Sequence, residues 1–305
     1  MTPGVHVADD ASAVEVLRGW ATVLPPGAAF TGLTAAFVRR WWLPPLPRDV
    51  PVFAVQSRRE PRPRRAGMVV SRSAVPPVTE TWFGVPVTST LETLLACART
   101  VSLLDLVVLV DAALARSECT KPELEAFCTA TAPSRGVGRR VPGLRALHDA
   151  VRLADERAES PWETLLRVLH VVCEIPVVPQ HHLTLSGGAK VRADLWLVGT
   201  TVLHEYDGAH HRSIDGHRSD LRRDRRLLAD GLTRRGYTSA DLLRRPDQIL
   251  KEADGALGRP HDPARLRPWL DLLAESLFTR QGTAACRSRW GLGQPSGVTS
   301  GKNSG

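Results

Sequence analysis

Short runs of β-branched and apolar residues alternate along this chain with segments whose apolar residues recur every three or four positions. The first pattern predicts β-strands, and the second predicts amphipathic helices. Strands are predicted at residues 50–55, 67–73, 83–89, 175–185, 191–198, 201–207 and 234–238. Helices are predicted at 11–20, 35–42, 103–116, 215–230, 247–257 and 264–277, and others start near residues 90, 121, 144, 161 and 240.

Strands interspersed with helices indicate the α/β class. The linker-like stretch PSRGVGRRVPG at 133–143 divides them into two groups. We therefore expect a smaller α/β domain over residues 1–140, a second α/β domain over 141–258 and a C-terminal helix over 259–280. Gly and Ser are frequent from residue 281 to 305, which predicts a disordered tail.

Two predicted strands, 191–198 and 201–207, flank the dipeptide Gly199-Thr200, and glycine suits the first position of a type II′ turn. With that turn the numbers of facing residues add up to 399, so Asp194 lies directly opposite Glu205. Directly opposed residues of antiparallel strands have Cβ atoms about 4.5–5.5 Å apart. Two carboxylates this close repel strongly unless a cation lies between them. The pair therefore indicates a divalent-cation site.

The same register leaves an alternative open. It places Asp207 opposite Arg192 on the carboxylate face, so that arginines alone are able to neutralise solvated acids there. His204 lies on the other face, opposite Leu195, and is predicted to be a core histidine. That face forms a core side, made of Val191, Ala193, Leu195, Leu197, Val202 and Tyr206.

Charge and composition narrow the class of protein. Lysine and arginine exceed the acidic residues by 40 − 32 = +8, and almost all of the positive charge is arginine. Arginine suits bidentate phosphate recognition, although an Arg-rich composition also follows from a GC-rich genome. Five scattered cysteines without a CxxC pair indicate a reducing cytoplasm. We expect neither a signal peptide nor a membrane span, and therefore a cytoplasmic protein.

The order of several distinctive pieces resembles the PD-(D/E)XK nuclease superfamily, and more narrowly its very-short-patch-repair-like branch of endonuclease domains. The resemblance covers residues 157–250. The matching pieces are Glu163 in SPWETLLR, Gln180, Asp194 in VRADLWL, Glu205-Tyr206-Asp207-Gly208, His210-His211, DLRRDR at 220–225 and RRGYTSADLL at 234–243.

This resemblance implies a restriction-endonuclease-like mixed sheet flanked by helices. It also implies that Asp194 and Glu205 bind Mg²⁺ or Mn²⁺, which activates a water against a phosphodiester of DNA. Glu163 and Gln180 would support that site.

One position departs from the superfamily pattern. The superfamily usually has Lys two residues after the Glu, and this chain has Asp207 there, although Glu-x-Asp-Gly is usual in this branch. His210 or His211 is then a candidate general base or a donor to the phosphate.

Glu163 has two interpretations. Ser160 as N-cap, Pro161 in the first turn and Glu163 at the third helical position form a good helix start, so that Glu163 serves only to complete the cap. Alternatively, it points at the metal site from the first helix of the nuclease fold.

Arginines also recur at three- and four-residue spacing along the predicted helix 215–230. They are Arg218, Arg222, Arg225 and Arg226. An arginine row beside a metal site suits a phosphate backbone. The alternative is a solvated face on which Asp220 and Asp224 balance the charge.

The first half, over residues 28–130, loosely resembles the C-terminal part of bacterial abortive-infection antitoxins. VPVFAV, GVPVTSTLETLL and LLDLVVLVDAAL carry this resemblance. Two functions stay open: a metal-dependent DNA endonuclease, in DNA repair or phage defence, or a non-catalytic DNA-binding regulator that keeps a nuclease scaffold. DNA is the expected partner in both, and a homodimer is an open question.

Overall fold

The computed structural model of the chain describes residues 12–60, 65–132, 140–208 and 214–292, with only the backbone over 214–221. The strands in these ranges are β1 (Ala29–Phe30), β2 (Val52–Ser57), β3 (Met68–Ser73), β4 (Thr79–Trp82), β5 (Val85–Thr88), β6 (Val177–Thr184), β7 (Lys190–Leu197), β8 (Val202–Tyr206) and β9 (Thr233–Tyr237). The helices are α1 (Ala13–Ala21), α2 (Gly32–Val38), α3 (Thr90–Cys97), α4 (Leu103–Ala115), α5 (Lys121–Thr131), α6 (Leu144–Leu153), α7 (Pro161–Val172), α8 (Ile214–Ala229), α9 (Ser239–Arg244), α10 (Pro246–Ala256), α11 (Arg267–Glu275) and α12 (Arg280–Arg289).

Two mixed sheets organise these elements, so the predicted α/β class is confirmed. The first has the strand order β3-β2-β1-β5-β4, and the second has the order β6-β7-β8-β9. In the second sheet β6, β7 and β8 are antiparallel neighbours, whereas β9 is parallel to β8. Parallel neighbours need a crossover connection, and α8 lies in the connection between β8 and β9.

The second sheet is covered on both faces. Leu195, Leu197 and Val202 belong to the large hydrophobic cluster that includes the buried leucines of α7. Trp196 and Leu203 pack on the other face with Leu227 of α8. Val191 and Ala193, predicted to share the first face, also belong to this second cluster. They lie beyond Gln180, where the β6–β7 pairing skips one position.

Helix α4 connects the two halves of the chain. All of its residues from Leu104 to Leu114 are buried, as expected for a helix that is hydrophobic on every side. It contacts α3 of the first half and also α6, α7 and α11. One hydrophobic cluster accordingly extends from Leu33 and Phe53 beside the first sheet to Leu195 and Leu197 of the second.

Some predicted elements were misplaced or missed. Helix α2 spans Gly32–Val38 rather than 35–42. It ends where Arg40 adopts a positive φ of 58° and the Trp41 N–H donates to the Ala36 carbonyl. The two-residue strand β1 and the exposed edge strand β4 were missed, because neither carries a long apolar run.

The predicted disordered tail is wrong for its first twelve residues. Helix α12 covers Arg280–Arg289, and Cys286 and Trp290 are buried against the main cluster. The Trp290 Nε1–H donates to the Thr100 carbonyl at 2.9 Å, and its ring meets Phe53 edge-on at 5.9 Å. A polar segment with two inward-facing apolar residues is therefore enough to dock this helix. Residues 293–305 lie outside the described ranges.

All five cysteines are buried and free of disulfides, and they behave as small hydrophobes. No helix in the described part of the chain has the length and apolar character needed to cross a bilayer.

Candidate active site

The register of the β7–β8 hairpin is the one predicted. Leu195 pairs with His204 and Trp196 with Leu203, so facing numbers add up to 399. The turn itself differs from the prediction. The Thr200 N–H donates to the Leu197 carbonyl, and Gly199 has φ of 80°, so the turn centres on Val198 and Gly199.

Asp194 lies in the middle of β7 and is largely buried. One of its carboxylate oxygens accepts the Tyr206 N–H at 2.9 Å. Burial is the main cause that raises the pKa of Asp194 to about 6, and the neighbouring charges of Glu163 and Glu205 raise it further. Three acidic groups therefore influence one another at this point of the sheet.

Glu205 is opposite Asp194 in the hairpin register and is only 5% exposed. Two arginines bind it. Arg223 of α8 donates to both carboxylate oxygens, at 2.8 and 2.5 Å. Arg234 of β9 donates its Nε–H to Oε2 at 2.5 Å. A buried carboxylate needs such partners, because an unpaired buried charge is very costly.

Asp207 follows the end of β8 and takes a different partner from the one predicted. It forms an ion pair with Arg234 rather than with Arg192. Arg192 instead makes a bidentate bond to Glu159, at 2.6 and 2.8 Å. β8 ends at Tyr206, so the antiparallel ladder does not continue to the predicted Asp207–Arg192 pair.

Gly236 leaves the space that the Asp207 carboxylate fills. It faces Glu205 in the parallel β8–β9 register. A Cβ at this position would lie 1.8 Å from Asp207 Oδ2. Any side chain on residue 236 would therefore displace the Asp207 carboxylate from Arg234.

We expect Gly236→Ala to lower the free energy of unfolding by ~1–2 kcal/mol, since the added methyl group disturbs a charge-assisted hydrogen bond. Urea denaturation of both proteins measures the difference. The matched control is the same Gly236→Ala substitution in an Asp207→Ala background. There the added methyl group should lower the free energy of unfolding much less. An equal cost of Gly236→Ala in both backgrounds would contradict the steric explanation.

Glu163 caps α7, as one of its two interpretations predicts, and also contacts Gln180. The Glu163 N–H donates to the Ser160 hydroxyl at 3.2 Å, which caps α7, and the Glu163 carboxylate accepts from the Glu159 N–H at 3.0 Å. The same carboxylate also accepts from Gln180 Nε2 at 2.9 Å. Burial raises the pKa of Glu163. The cap therefore holds the carboxylate beside Gln180 and within electrostatic range of Asp194.

Gln180 has an unusual backbone conformation, with φ of 49° inside β6. In the β6–β7 register it falls opposite Asp194, at the position that the pairing skips. Its side-chain Oε1 is buried without a hydrogen-bond partner. A positive φ at a non-glycine residue is a strained feature that occurs often at functional sites.

A cleft of about 540 Å³ opens above Asp194. Its walls are mainly cationic and consist of Lys190, Val191, Arg192, Arg222, Arg223 and Arg226. Arg222 and Arg226 were predicted to contact phosphate, and both are exposed. Arg225 is exposed but does not line the cleft. The side chain of Arg218 and all of His210 and His211 lie outside the described residues.

Arg223 and Arg234 are the site residues that sequence reasoning missed. Arg223 precedes the buried Leu227 by four residues, so helical periodicity puts both on the sheet-facing side of α8. Arg234 pairs with Leu203 in the β8–β9 register and so shares a face with Glu205. The first signal is present in the sequence, whereas the second requires the strand pairing.

The oxygen atoms of this region are of the type that a hard divalent cation prefers. Asp194 and Glu205 supply carboxylate oxygens, which Mg²⁺ and Mn²⁺ prefer, and Gln180 adds an unpartnered oxygen. Among the residues that the structure describes, no three His, Cys, Asp or Glu side chains form a ligand cluster. The candidate site therefore depends on two carboxylates, and arginines hold both oxygens of Glu205.

The core-histidine prediction for His204 is confirmed. His204 is buried on the α7 face of the sheet, and its Nδ1 lies 2.8 Å from Nε2 of the buried His170. Burial lowers the pKa of His170 to about 4 and that of His204 well below its usual value. Both rings are therefore neutral at pH 7 and stabilise the core.

Comparisons of the chain with protein-family models, curated proteins and solved structures find no match.

Proposed function

We propose that this protein is a metal-dependent DNA endonuclease that hydrolyses phosphodiester bonds. One observation carries the proposal: Asp194 lines an arginine-rich cleft, and the buried carboxylate of Glu205 lies within electrostatic range of it. Acids repel a nucleic acid unless a cation is present, whereas arginines attract its phosphates. A site that combines both suits a phosphate ester and a divalent cation together.

Asp194 and Glu205 would hold the cation. When bound, such a cation would lower the pKa of a water and stabilise charge on the scissile phosphate. Arg234 fixes the position of Glu205 through a hydrogen bond from the neighbouring strand, and it supplies the positive charge that the motif lysine usually brings. Glu163 holds Gln180 in place, and Arg222 and Arg226 bind the phosphate backbone in the cleft.

Arg234 differs from a lysine in one chemical respect. A guanidinium stays protonated at any physiological pH, so it positions and neutralises but does not accept a proton. The proton of the attacking water must therefore go to another group. The predicted His210 and His211 are the candidates.

A second function is favoured by a specific contact. Arg223 and Arg234 already satisfy both oxygens of Glu205, which suits a stable ion-pair scaffold that never takes up a metal. The chain would then be a DNA-binding regulator, with its cationic cleft retained for phosphate contacts.

Incubation of supercoiled plasmid with the purified protein separates the two functions. With Mg²⁺ or Mn²⁺ we expect the wild type to produce nicked or linear plasmid, and with EDTA we expect none. Asp194→Ala should lower the cleavage rate by at least ~10²-fold, since a metal ligand is lost. A folded wild type that binds the plasmid without cleaving it would contradict the nuclease proposal and support the regulator.

Thermal unfolding supplies a control that does not depend on cleavage. A cation that binds only the folded protein raises its melting temperature. At a concentration well above its dissociation constant, we expect Mn²⁺ to raise the melting temperature of the wild type but not of Asp194→Ala. The same shift in both proteins would place the cation elsewhere.

A further inference from the structure

We propose that Arg223 couples the binding of a divalent cation to the binding of a nucleic-acid phosphate. This inference rests on the proposed function. Without nucleic acid, the Arg223 guanidinium occupies the place beside Glu205 that the divalent cation would take. A phosphate in the cleft draws the guanidinium away, and the cation then binds between Asp194 and Glu205.

The contacts of Arg223 show why the two cations compete. Its guanidinium donates to both oxygens of Glu205, and also to the Arg192 carbonyl at 2.5 Å. The second arginine, Arg234, shares Oε2. A divalent cation coordinated by Glu205 would therefore lie against two guanidinium groups. Coulomb repulsion between like charges at such short range is strong in a partly buried site.

Arg223 is the more exposed of the two arginines. Its side chain is 32% exposed, against 15% for Arg234. Arg234 is also tied to Asp207. In addition, Arg223 lines the cationic cleft, whereas Arg234 does not. A small rotation therefore carries the Arg223 guanidinium from a carboxylate to a phosphate, and both accept a bidentate pair of hydrogen bonds.

The coupling between the cation and the phosphate is reciprocal. If phosphate releases Arg223 and so increases the affinity for the cation, then the cation increases the affinity for phosphate by the same factor. The protein alone would hold the cation weakly and acquire it on the nucleic acid. Arg225 is a suitable control, because it is exposed on the same helix but does not line the cleft.

The test measures Mn²⁺ binding by electron paramagnetic resonance of the free ion, without any activity readout. Arg223→Gln is expected to bind Mn²⁺ at least ~10-fold more tightly than the wild type in the absence of nucleic acid, because the competing cation is gone. Arg225→Gln should change the affinity less than ~3-fold, since exposed charges are screened. Arg223→Lys, which cannot bind in a bidentate manner, should lie between the wild type and Arg223→Gln.

A second titration adds a short DNA duplex with phosphorothioate linkages, with Mn²⁺ binding to the duplex alone subtracted. The wild-type affinity for Mn²⁺ should then rise toward that of Arg223→Gln, whose own affinity rises much less. Equal Mn²⁺ affinity of the wild type and Arg223→Gln without DNA, or an equal increase of Mn²⁺ affinity in Arg225→Gln, would overturn the inference. If Arg223→Gln does not fold, Arg223→Lys decides by the same criteria.

The outcomes also separate this inference from the proposed function. Coupled binding of Mn²⁺ and duplex without any plasmid cleavage supports the role of Arg223 and contradicts the nuclease. Plasmid cleavage together with an Mn²⁺ affinity that does not depend on Arg223 supports the nuclease and contradicts the role of Arg223.

Discussion

Asp194→Asn is expected to stabilise the folded protein at pH 8 while it abolishes cleavage. The asparagine carbonyl still accepts the Tyr206 N–H, but the buried charge disappears. The pKa of Asp194 is raised from 3.8 to about 6, so the ionised form is disfavoured in the folded state. Each pKa unit corresponds to ~1.4 kcal/mol, and partial solvent access reduces the total, so we expect a gain of ~2 kcal/mol.

The sign of the pH dependence follows from the raised pKa. The contribution of protonated Asp194 to stability is fully present below about pH 4 and is lost as the pH rises through about 6. Asparagine carries no charge at any pH. The difference between the two proteins should therefore be near zero at pH 4, increase between pH 4 and 6, and stay constant above.

Urea denaturation across that pH range gives the measurement. Asp271→Asn is the control, because Asp271 is an exposed acid on α11, and it should change stability by less than ~0.5 kcal/mol at each pH. If Asp194→Asn is less stable than the wild type at pH 8, Asp194 is not under electrostatic strain, and the reason to place a cation beside it is lost.

Arg234→Met is expected to lower the free energy of unfolding by ~1–3 kcal/mol, since the buried Glu205 keeps Arg223 but loses its second charge-assisted hydrogen bond. Arg234 is the partner shared by Glu205 and Asp207. Methionine keeps most of the length of the side chain, so the loss reports the charge more than the packing.

The neighbouring Arg235→Met provides a matched control. Arg235 lies on the same strand, is 40% exposed and pairs with Glu252 at 3.0 Å. Exposed pairs contribute ~0–1 kcal/mol, so we expect a loss in that range. A double-mutant cycle with Glu205→Gln should recover part of the Arg234→Met loss, because the two residues interact directly. Strict additivity would contradict a direct interaction.

The acidic half of the site was predictable, and the basic half was not. Asp194 and Glu205 belong to one hairpin, whose period-two pattern fixes which residues face each other. Arg223 and Arg234 arrive from a helix and a strand that follow in the chain, and their positions depend on how α8 packs and where β9 pairs. Such tertiary contacts leave a weak local signal.

The turn and the last helix illustrate two other limits. The turn lies one residue earlier than the predicted Gly199-Thr200. A long-range hydrogen bond accompanies this shift, since the Val198 N–H donates to the Pro176 carbonyl next to β6. The last helix is polar in composition, which gave no indication that Cys286 of α12 and Trp290 at its end are buried. Composition averages over a segment, whereas docking depends on the few residues that face inward.

Helix α4, buried from Leu104 to Leu114 between elements of both halves, has a consequence for how this protein is able to vary. Neither half has a complete hydrophobic core of its own, because residues of both halves pack against the same helix. Cleavage of the chain near residue 140 would expose the apolar surface of α4 to water, and an exposed apolar surface of that size promotes aggregation. Natural recombination therefore has little scope to exchange the segment with the candidate active site as an independent module. The two halves are bound to be inherited, and to fold, together.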